Sequence, residues 1–297
     1  MQSRNPVFAR AEGFNGKGSV NAYGNVTYPG AGQSYAGYGS PSTWSVGSPG
    51  TPGTPGSPTH TEAYQGPMTI DSVVQKTGIT LAVVFVAAAL TWLLTGDITS
   101  QGSLSTLYGL SMVGALGGFA LAMVNSFKRV VSPALVIAYA ALEGVFIGGF
   151  SKVVANYFGG AEGGMSIVVG AVLGTVAAVA GTLAAYKFFD IKVGNKFRTW
   201  VIGLMFGFVA VSFLDFILSF FGSSFGFNGF GGVGLISSVI GLGLGVLMLI
   251  LDFDYVERGV RAGLPERESW RAAFGLTVTI VWIYIELLRI LAILNRR

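Results

Sequence analysis

From Asp71 to its end the chain is a succession of seven apolar runs, and nothing else in the sequence constrains the fold as strongly. The runs are Thr77–Leu94, Leu104–Val124, Pro133–Phe150, Met165–Tyr186, Trp200–Phe221, Leu235–Leu251 and Ala272–Leu294. A helix needs about 20 apolar residues to cross about 30 Å of hydrocarbon, and each run is of that order. In lipid only α-helices and closed β-barrels satisfy every backbone N–H and C=O. The runs lack the alternating apolar/polar period of a barrel strand. The expectation is an all-α polytopic membrane protein with seven spanning helices.

Composition agrees. Only 11% of the residues are charged, against about 25% in a soluble domain, so most of the surface cannot face water. Mean hydropathy is +0.63. There is no cysteine, and His60 is the one histidine, which excludes thiolate metal sites, histidine clusters and a Ser/His/Asp triad. No P-loop, HExxH, GxSxG or dinucleotide fingerprint occurs, and no basic face fits nucleic acid. The chain is expected to be no enzyme and to carry no cofactor.

Residues 1–66 form a different compartment, rich in Gly, Ser, Pro, Tyr and Thr, with Gly-Ser/Thr-Pro repeated four times from Gly47 to Pro58. Such a segment cannot bury enough apolar surface to offset its ordering entropy. It is expected to be a disordered cytoplasmic tail open to a protein partner, ahead of a transmembrane domain over 67–297. No apolar stretch follows Arg4 and Arg10, so no signal peptide is expected.

Loop charge sets the orientation. The loops after the second, fourth and sixth runs hold Lys128, Arg129, Lys187, Lys192, Lys196, Arg198, Arg258, Arg261 and Arg267, whereas the odd loops hold Lys152 alone. Basic loops stay on the cytoplasmic side, which puts the N-terminus inside and the C-terminus outside. Arg296 and Arg297 run against that rule and leave a re-entrant seventh helix as the alternative. Glycines four apart recur at Gly114/Gly118, Gly144/Gly148, Gly170/Gly174, Gly203/Gly207 and Gly241/Gly245, the device by which helix backbones approach in lipid. The seventh run has no such pair.

Acids inside apolar runs cost at least about 2.5 kcal/mol each and mark function by default. Glu143, Asp215 and Glu286 lie deep, and Asp252 and Asp254 mark the inner end of the sixth run. Together they form a candidate ladder of hard oxygen ligands suited to Ca²⁺ or H⁺, with Asp254 and Asp252 the best metal candidates. Each also has a bland reading. Glu286 has Arg289 one turn later, Asp215 has Ser212 and Ser219 beside it, and Asp252 and Asp254 sit among loop charges. Glu143 has no partner nearby in sequence.

Residues 68–297 resemble the Bax inhibitor family (the transmembrane Bax inhibitor motif proteins), in particular its bacterial, actinobacterial-type branch. The resemblance is carried by MTIDSVVQKTGIT from Met68, SPALVIAYAALEGVFIG from Ser132, LDFDYVERGV from Leu251 and WIYIELLRILAIL from Trp282. It implies a last helix at the centre with six others wrapped around it, in a bacterial plasma membrane. It also implies a pH-sensitive Ca²⁺ leak gated by an aspartate pair between helices six and seven. The first aspartate of that pair falls on Asp254, or on Asp252 if the register slips. The second position holds Thr279, and Glu286 stands two turns further along the same face. Lys128 or Arg129 is the implied basic partner of the helix-six acid. The alternative function is a regulator that restrains a membrane protease or stress pathway through protein contacts, using the tail.

Overall fold

The computed structural model describes residues 19–20, 26–27, 66–98, 101–159, 164–189 and 191–296. The chain divides into two units, Met1–Thr61 and Glu62–Arg297. In the first, β1 (Ser19–Val20) and β2 (Val26–Thr27) pair antiparallel, with Val20 opposite Val26. The expectation of a disordered tail otherwise falls outside the described residues.

The second unit is helical. Its elements are α1 (Ile70–Leu94), α2 (Gln101–Phe127), α3 (Pro133–Phe158), α4 (Met165–Phe188), α5 (Asn195–Ser219), α6 (Gly232–Arg261) and α7 (Glu268–Asn295). All seven are long and apolar enough to span a membrane. Most extend past the apolar run that signals them, because a helix still satisfies its backbone where charged residues reach the headgroups. Thr69 starts α1 seven residues early with a capping box: its Oγ1 accepts from the Ser72 N–H at 3.1 Å, and Ser72 Oγ accepts from the Thr69 N–H at 3.1 Å. Large apolar side chains such as Leu93, Phe119, Trp200, Phe206 and Phe213 point outward, the pattern expected of a lipid-facing surface.

α7 is the axis. More than half of its most apolar window is buried inside the protein, against 17% for α2 and α5. It packs on α1, α3, α4 and α6, but α2 packs chiefly on α3, and α5 on α6. The wrapping is therefore by four helices rather than six, with α5 reaching α7 through Phe208 against Trp282 at 5.6 Å between ring centroids.

Glycine spacing explains most of these contacts. A Cβ at Gly148 would lie 2.5 Å from the Ala88 carbonyl of α1, and one at Gly114 would lie 2.6 Å from the Phe146 amide of α3, so neither backbone could approach as it does. α7 needs no glycine pair, because it supplies the knobs. Leu287 and Leu291 sit over Gly174 and Gly170 of α4, while Ile283 and Glu286 sit over Gly245 and Gly241 of α6. Gly203 and Gly207 of α5 are the exception to the expected pattern: a Cβ at either would meet nothing within 4 Å.

α1 and α7 run side by side in the same direction, joined by two hydroxyl rungs. Ser72 meets Ser269 at 2.7 Å and Thr80 meets Thr277 at 2.7 Å, with the same sequence offset. Between them, Lys76 Nζ donates to the Glu266 carboxylate at 2.9 Å. Just before α1, Pro67 bridges to Pro265 and the Met68 N–H donates to the Leu264 carbonyl at 2.6 Å. Met68 itself is 1% exposed, packed over Gly259 and Leu264.

The two ends of the bundle differ. At the basic end, arginines tie loops together: Arg267 Nε donates to the Val131 carbonyl at 2.9 Å, Arg271 to the Arg129 carbonyl at 2.7 Å, and Arg258 to the Val193 carbonyl at 2.9 Å. At the far end, Asn295 donates to the Phe158 carbonyl at 2.6 Å. α7 is thus one unbroken helix that ends opposite its start, which removes the re-entrant alternative. Lys152 also changes place. It lies within α3 rather than in a loop, is 8% exposed, and donates to the Trp92 carbonyl at 2.7 Å, to Thr95 Oγ1 at 3.0 Å and to the Gly96 carbonyl. A lysine in that position satisfies the orphan carbonyls at the C-terminus of α1 and complements its dipole. Among the described residues, the lysines and arginines that lie between helices, Lys128, Arg129, Lys192 and Arg267, all sit at the basic end.

Candidate functional site

The acids expected to form a ladder have separate environments. Asp215, on α5 near the far end, is 2% exposed. Its Oδ1 accepts from the N–H groups of Phe225 at 2.8 Å and Gly226 at 3.2 Å, and its Oδ2 from the Asn228 N–H at 2.8 Å. It pins the loop between α5 and α6. The two serines beside it bind elsewhere: Ser212 donates to Asn228 Oδ1, and Ser219 to the Phe216 carbonyl at 2.6 Å.

Glu286 and Arg289 are 3% and 7% exposed and meet at 3.1 Å. Arg289 also donates to the carbonyls of Phe227 at 2.9 Å and Gly229 at 3.2 Å. The α5–α6 loop is therefore gripped from both sides, its N–H groups by Asp215 and its carbonyls by Arg289. The two buried charges form one ion pair, in which the Arg289 Nε N–H is left without a partner. Glu143, on α3, turns its carboxylate toward Gly118 of α2 and has no hydrogen-bond partner among the described residues.

At the basic end the two aspartates of α6 diverge. Asp254, 7% exposed, takes Arg198 of α5 at 2.9 Å and Arg258, one turn along α6, at 2.8 Å. Its partners are these two guanidinium groups rather than Lys128 or Arg129, whose backbone carbonyls instead receive Arg271. Both oxygens of Asp254 are engaged, so it has little left to offer a metal ion. The Arg258 partner was legible as an i,i+4 pair. Arg198, 56 residues away in sequence, carried no local signal.

Asp252 is different. One oxygen, Oδ2, accepts from Thr279 Oγ1 of α7 at 2.5 Å. The hydroxyl that stands where the resemblance places a second aspartate is therefore the direct partner of Asp252, and the α6–α7 pairing runs through Asp252 rather than Asp254. Asp252 also borders two pockets at the basic end. One, of about 320 Å³, is lined by Asn125, Ser126, Asp252, Tyr255 and Arg271. The other, of about 530 Å³, runs along α5 and α6 past Arg198, Asp252, Tyr255 and Arg258. Of the five acids singled out in the sequence, Asp252 is the one that combines a cross-helix hydrogen bond with a pocket wall.

Among the described residues no three Asp, Glu, His or Cys side chains converge as a metal-binding group. A single carboxylate on a pocket wall suits a hard cation held weakly.

A family model described as Bax inhibitor 1 like matches residues 5–296. A search of curated proteins finds no match.

Proposed function

The chain belongs to the Bax inhibitor 1 like family, and on that premise we propose that it passes cations across the membrane, with Asp252 at the inner mouth of the path. The observation that carries this reading is the Asp252 carboxylate, bound to Thr279 on the central helix and facing pockets on both sides. Asp252 is both the attractive charge for a cation and half of a latch between α6 and α7. Protonation acts on both roles, because a charge-assisted hydrogen bond is stronger than a neutral one. Ca²⁺ is the first cation to test, since the family resemblance implies a pH-sensitive Ca²⁺ leak. In this reading the protein has no catalytic activity and no cofactor. The basic end is cytoplasmic by the positive-inside rule, with the tail inside and the bundle in the plasma membrane.

The test is Ca²⁺ flux into proteoliposomes in acidic and in mildly alkaline buffer, for the natural chain and for Asp252→Asn. Flux that responds to pH and is altered by Asp252→Asn supports the reading. Flux indifferent to Asp252→Asn, or none at all, refutes it.

A second reading, a regulator acting through protein contacts of the tail, draws on one observation. The segment that leads from the tail into α1 is bonded to the α6–α7 loop through Gly66, Pro67 and Met68. A partner that co-purifies only when the tail is present would favour it.

A further inference from the structure

Arg296 stands just past α7, at the end of the bundle where the charge rule for membrane loops places few cations. The other described cations of that half, Lys152 and Arg289, are buried against carbonyls, whereas Arg296 is exposed. Its guanidinium is nonetheless held over the protein. Cζ lies 6.0 Å from the centroid of the Phe158 ring, and Nη1 donates to the Phe230 carbonyl at 3.4 Å. A guanidinium carries several N–H donors, and one long bond leaves most of them unused. No described carboxylate forms an ion pair with it.

Arg296, Phe158 and Phe230 also close one end of a groove of about 440 Å³. The Phe158 and Phe230 rings are stacked there, with centroids 4.6 Å apart. From this end the groove runs past Tyr157 to Tyr108 of α2 and Phe150 of α3. Phe150 lies about two turns of helix below Phe158, so the groove reaches about 12 Å into the hydrocarbon. Tyr108 and Tyr157 are half-exposed, which leaves it open sideways to lipid. Its lining is apolar and aromatic, with Arg296 as its one charged group. An apolar trough that ends under a guanidinium is complementary to a molecule with a long apolar chain and a phosphate, because arginine matches phosphate geometry. A zwitterionic headgroup would bring its ammonium beside the guanidinium, with no carboxylate in the lining to receive it. A headgroup of net negative charge has no such conflict.

We propose that this groove holds one anionic phospholipid from the leaflet opposite the basic end, with its phosphate on Arg296 and the first part of an acyl chain between the aromatic walls. The lipid touches α2, α3, the residue before α6 and the residue after α7. It therefore braces α2, which otherwise packs chiefly on α3, against the end of the central helix. The site is independent of any cation path through the bundle.

The experiment places the full chain in phosphatidylcholine vesicles that carry a small fraction of phosphatidylglycerol with a photoactivatable diazirine in its acyl chain. After irradiation, adducts are mapped by mass spectrometry on peptides covering 106–112 and 149–158. These groove peptides are expected to be labelled, and a diazirine phosphatidylcholine at the same fraction should label them about tenfold less. Arg296→Gln is expected to lower their labelling by phosphatidylglycerol by about tenfold, as loss of a charge-assisted phosphate contact requires. Adducts on peptides covering 187–204, at the basic end, should stay as in the natural chain and report that the variant is folded and inserted. Val153→Trp fills the groove while leaving Arg296 in place, and should remove the adducts at 106–112. Equal labelling by the two lipids, or groove labelling in Arg296→Gln that matches the natural chain, overturns the headgroup site. Adducts at 106–112 that persist in Val153→Trp overturn the groove as the seat of the acyl chain, and groove peptides left unlabelled by phosphatidylglycerol overturn the proposal as a whole.

Discussion

Replacing Asp215 by alanine should free the loop between α5 and α6 without disturbing the basic end. The loop is held from below by three backbone N–H groups that all converge on this carboxylate, at 2.8, 3.2 and 2.8 Å. A hydrogen bond to a charged group contributes about 1.5–3 kcal/mol, and such contributions overlap when they share one acceptor. We therefore expect Asp215→Ala to lower the cost of opening this loop by about 3–6 kcal/mol. Every 1.4 kcal/mol is tenfold in an equilibrium, so amide exchange at Phe225, Gly226 and Asn228 should quicken by roughly a hundredfold or more. Asp215→Asn is the graded control. Its one carbonyl oxygen can keep the Phe225 and Gly226 amides, while its NH₂ faces the Asn228 N–H, so about 1.5–3 kcal/mol is lost and the Asn228 amide is the most affected. Hydrogen exchange of the detergent-solubilised protein, read by mass spectrometry on peptides covering 220–231, measures both. Exchange within a few-fold of the natural chain in Asp215→Ala would show that the staple carries no load, and Asp215 would return to the list of ion ligands.

Arg289→Met strips the buried Glu286 of its partner and two loop carbonyls of their donor. It should destabilise the bundle by about 3–5 kcal/mol, whereas Glu286→Gln combined with Arg289→Met should recover part of the loss, as read from thermal unfolding in detergent. Met68→Ala should cost about 2–5 kcal/mol, because Met68 is 1% exposed, while removal of residues 1–61 should leave the midpoint where it was. Acidification should weaken Ca²⁺ binding to the natural chain, because the proton and the cation compete for the Asp252 carboxylate, and whatever binding survives in Asp252→Asn should be flat with pH.

The membrane architecture was readable because lipid removes all but a few solutions for the backbone, so apolar length alone announces seven helices. Their ends were less readable. Residues 252–261 are charged, yet α6 continues through them, and Lys152 reads as a loop cation although it is the buried cap of α1. Both errors share a cause: hydropathy reports where hydrocarbon stops, not where the helix does. The acids were found by type but not by fate. Glu286 with Arg289 and Asp254 with Arg258 lie within one turn of each other, and spacing suffices for such pairs. The three amides that hold Asp215 come from a loop beyond the helix end, and Arg198 approaches Asp254 from another helix, so no local pattern could announce them. Glycine spacing identified close approaches on α2, α3, α4 and α6. It also flagged α5, where Gly203 and Gly207 meet nothing, because spacing gives a surface of small residues and not a neighbour to fill it.

The hydroxyl rungs between α1 and α7 impose an order on assembly. Ser72 and Thr80 await partners made 197 residues later, which at about 5–20 residues per second of synthesis is a delay of roughly 10–40 s. During that interval α1 is already in the bilayer with its hydroxyls unpaired across helices. It tolerates the wait because Thr80 donates to the Thr77 carbonyl and Ser72 to the Thr69 carbonyl, within the same helix. Thr277 likewise donates to Ala273 until α7 arrives. When the two helices meet, either Thr80 or Thr277 exchanges a bond to its own backbone for one to its neighbour, at little cost, while Ser269 can donate to Ser72 with Ser72 keeping its bond to Thr69. α1 packs on α3 once that helix is made, but its hydroxyl rungs are completed only by α7, and a ribosome stalled before α7 leaves six helices inserted around an axis that has not yet been made.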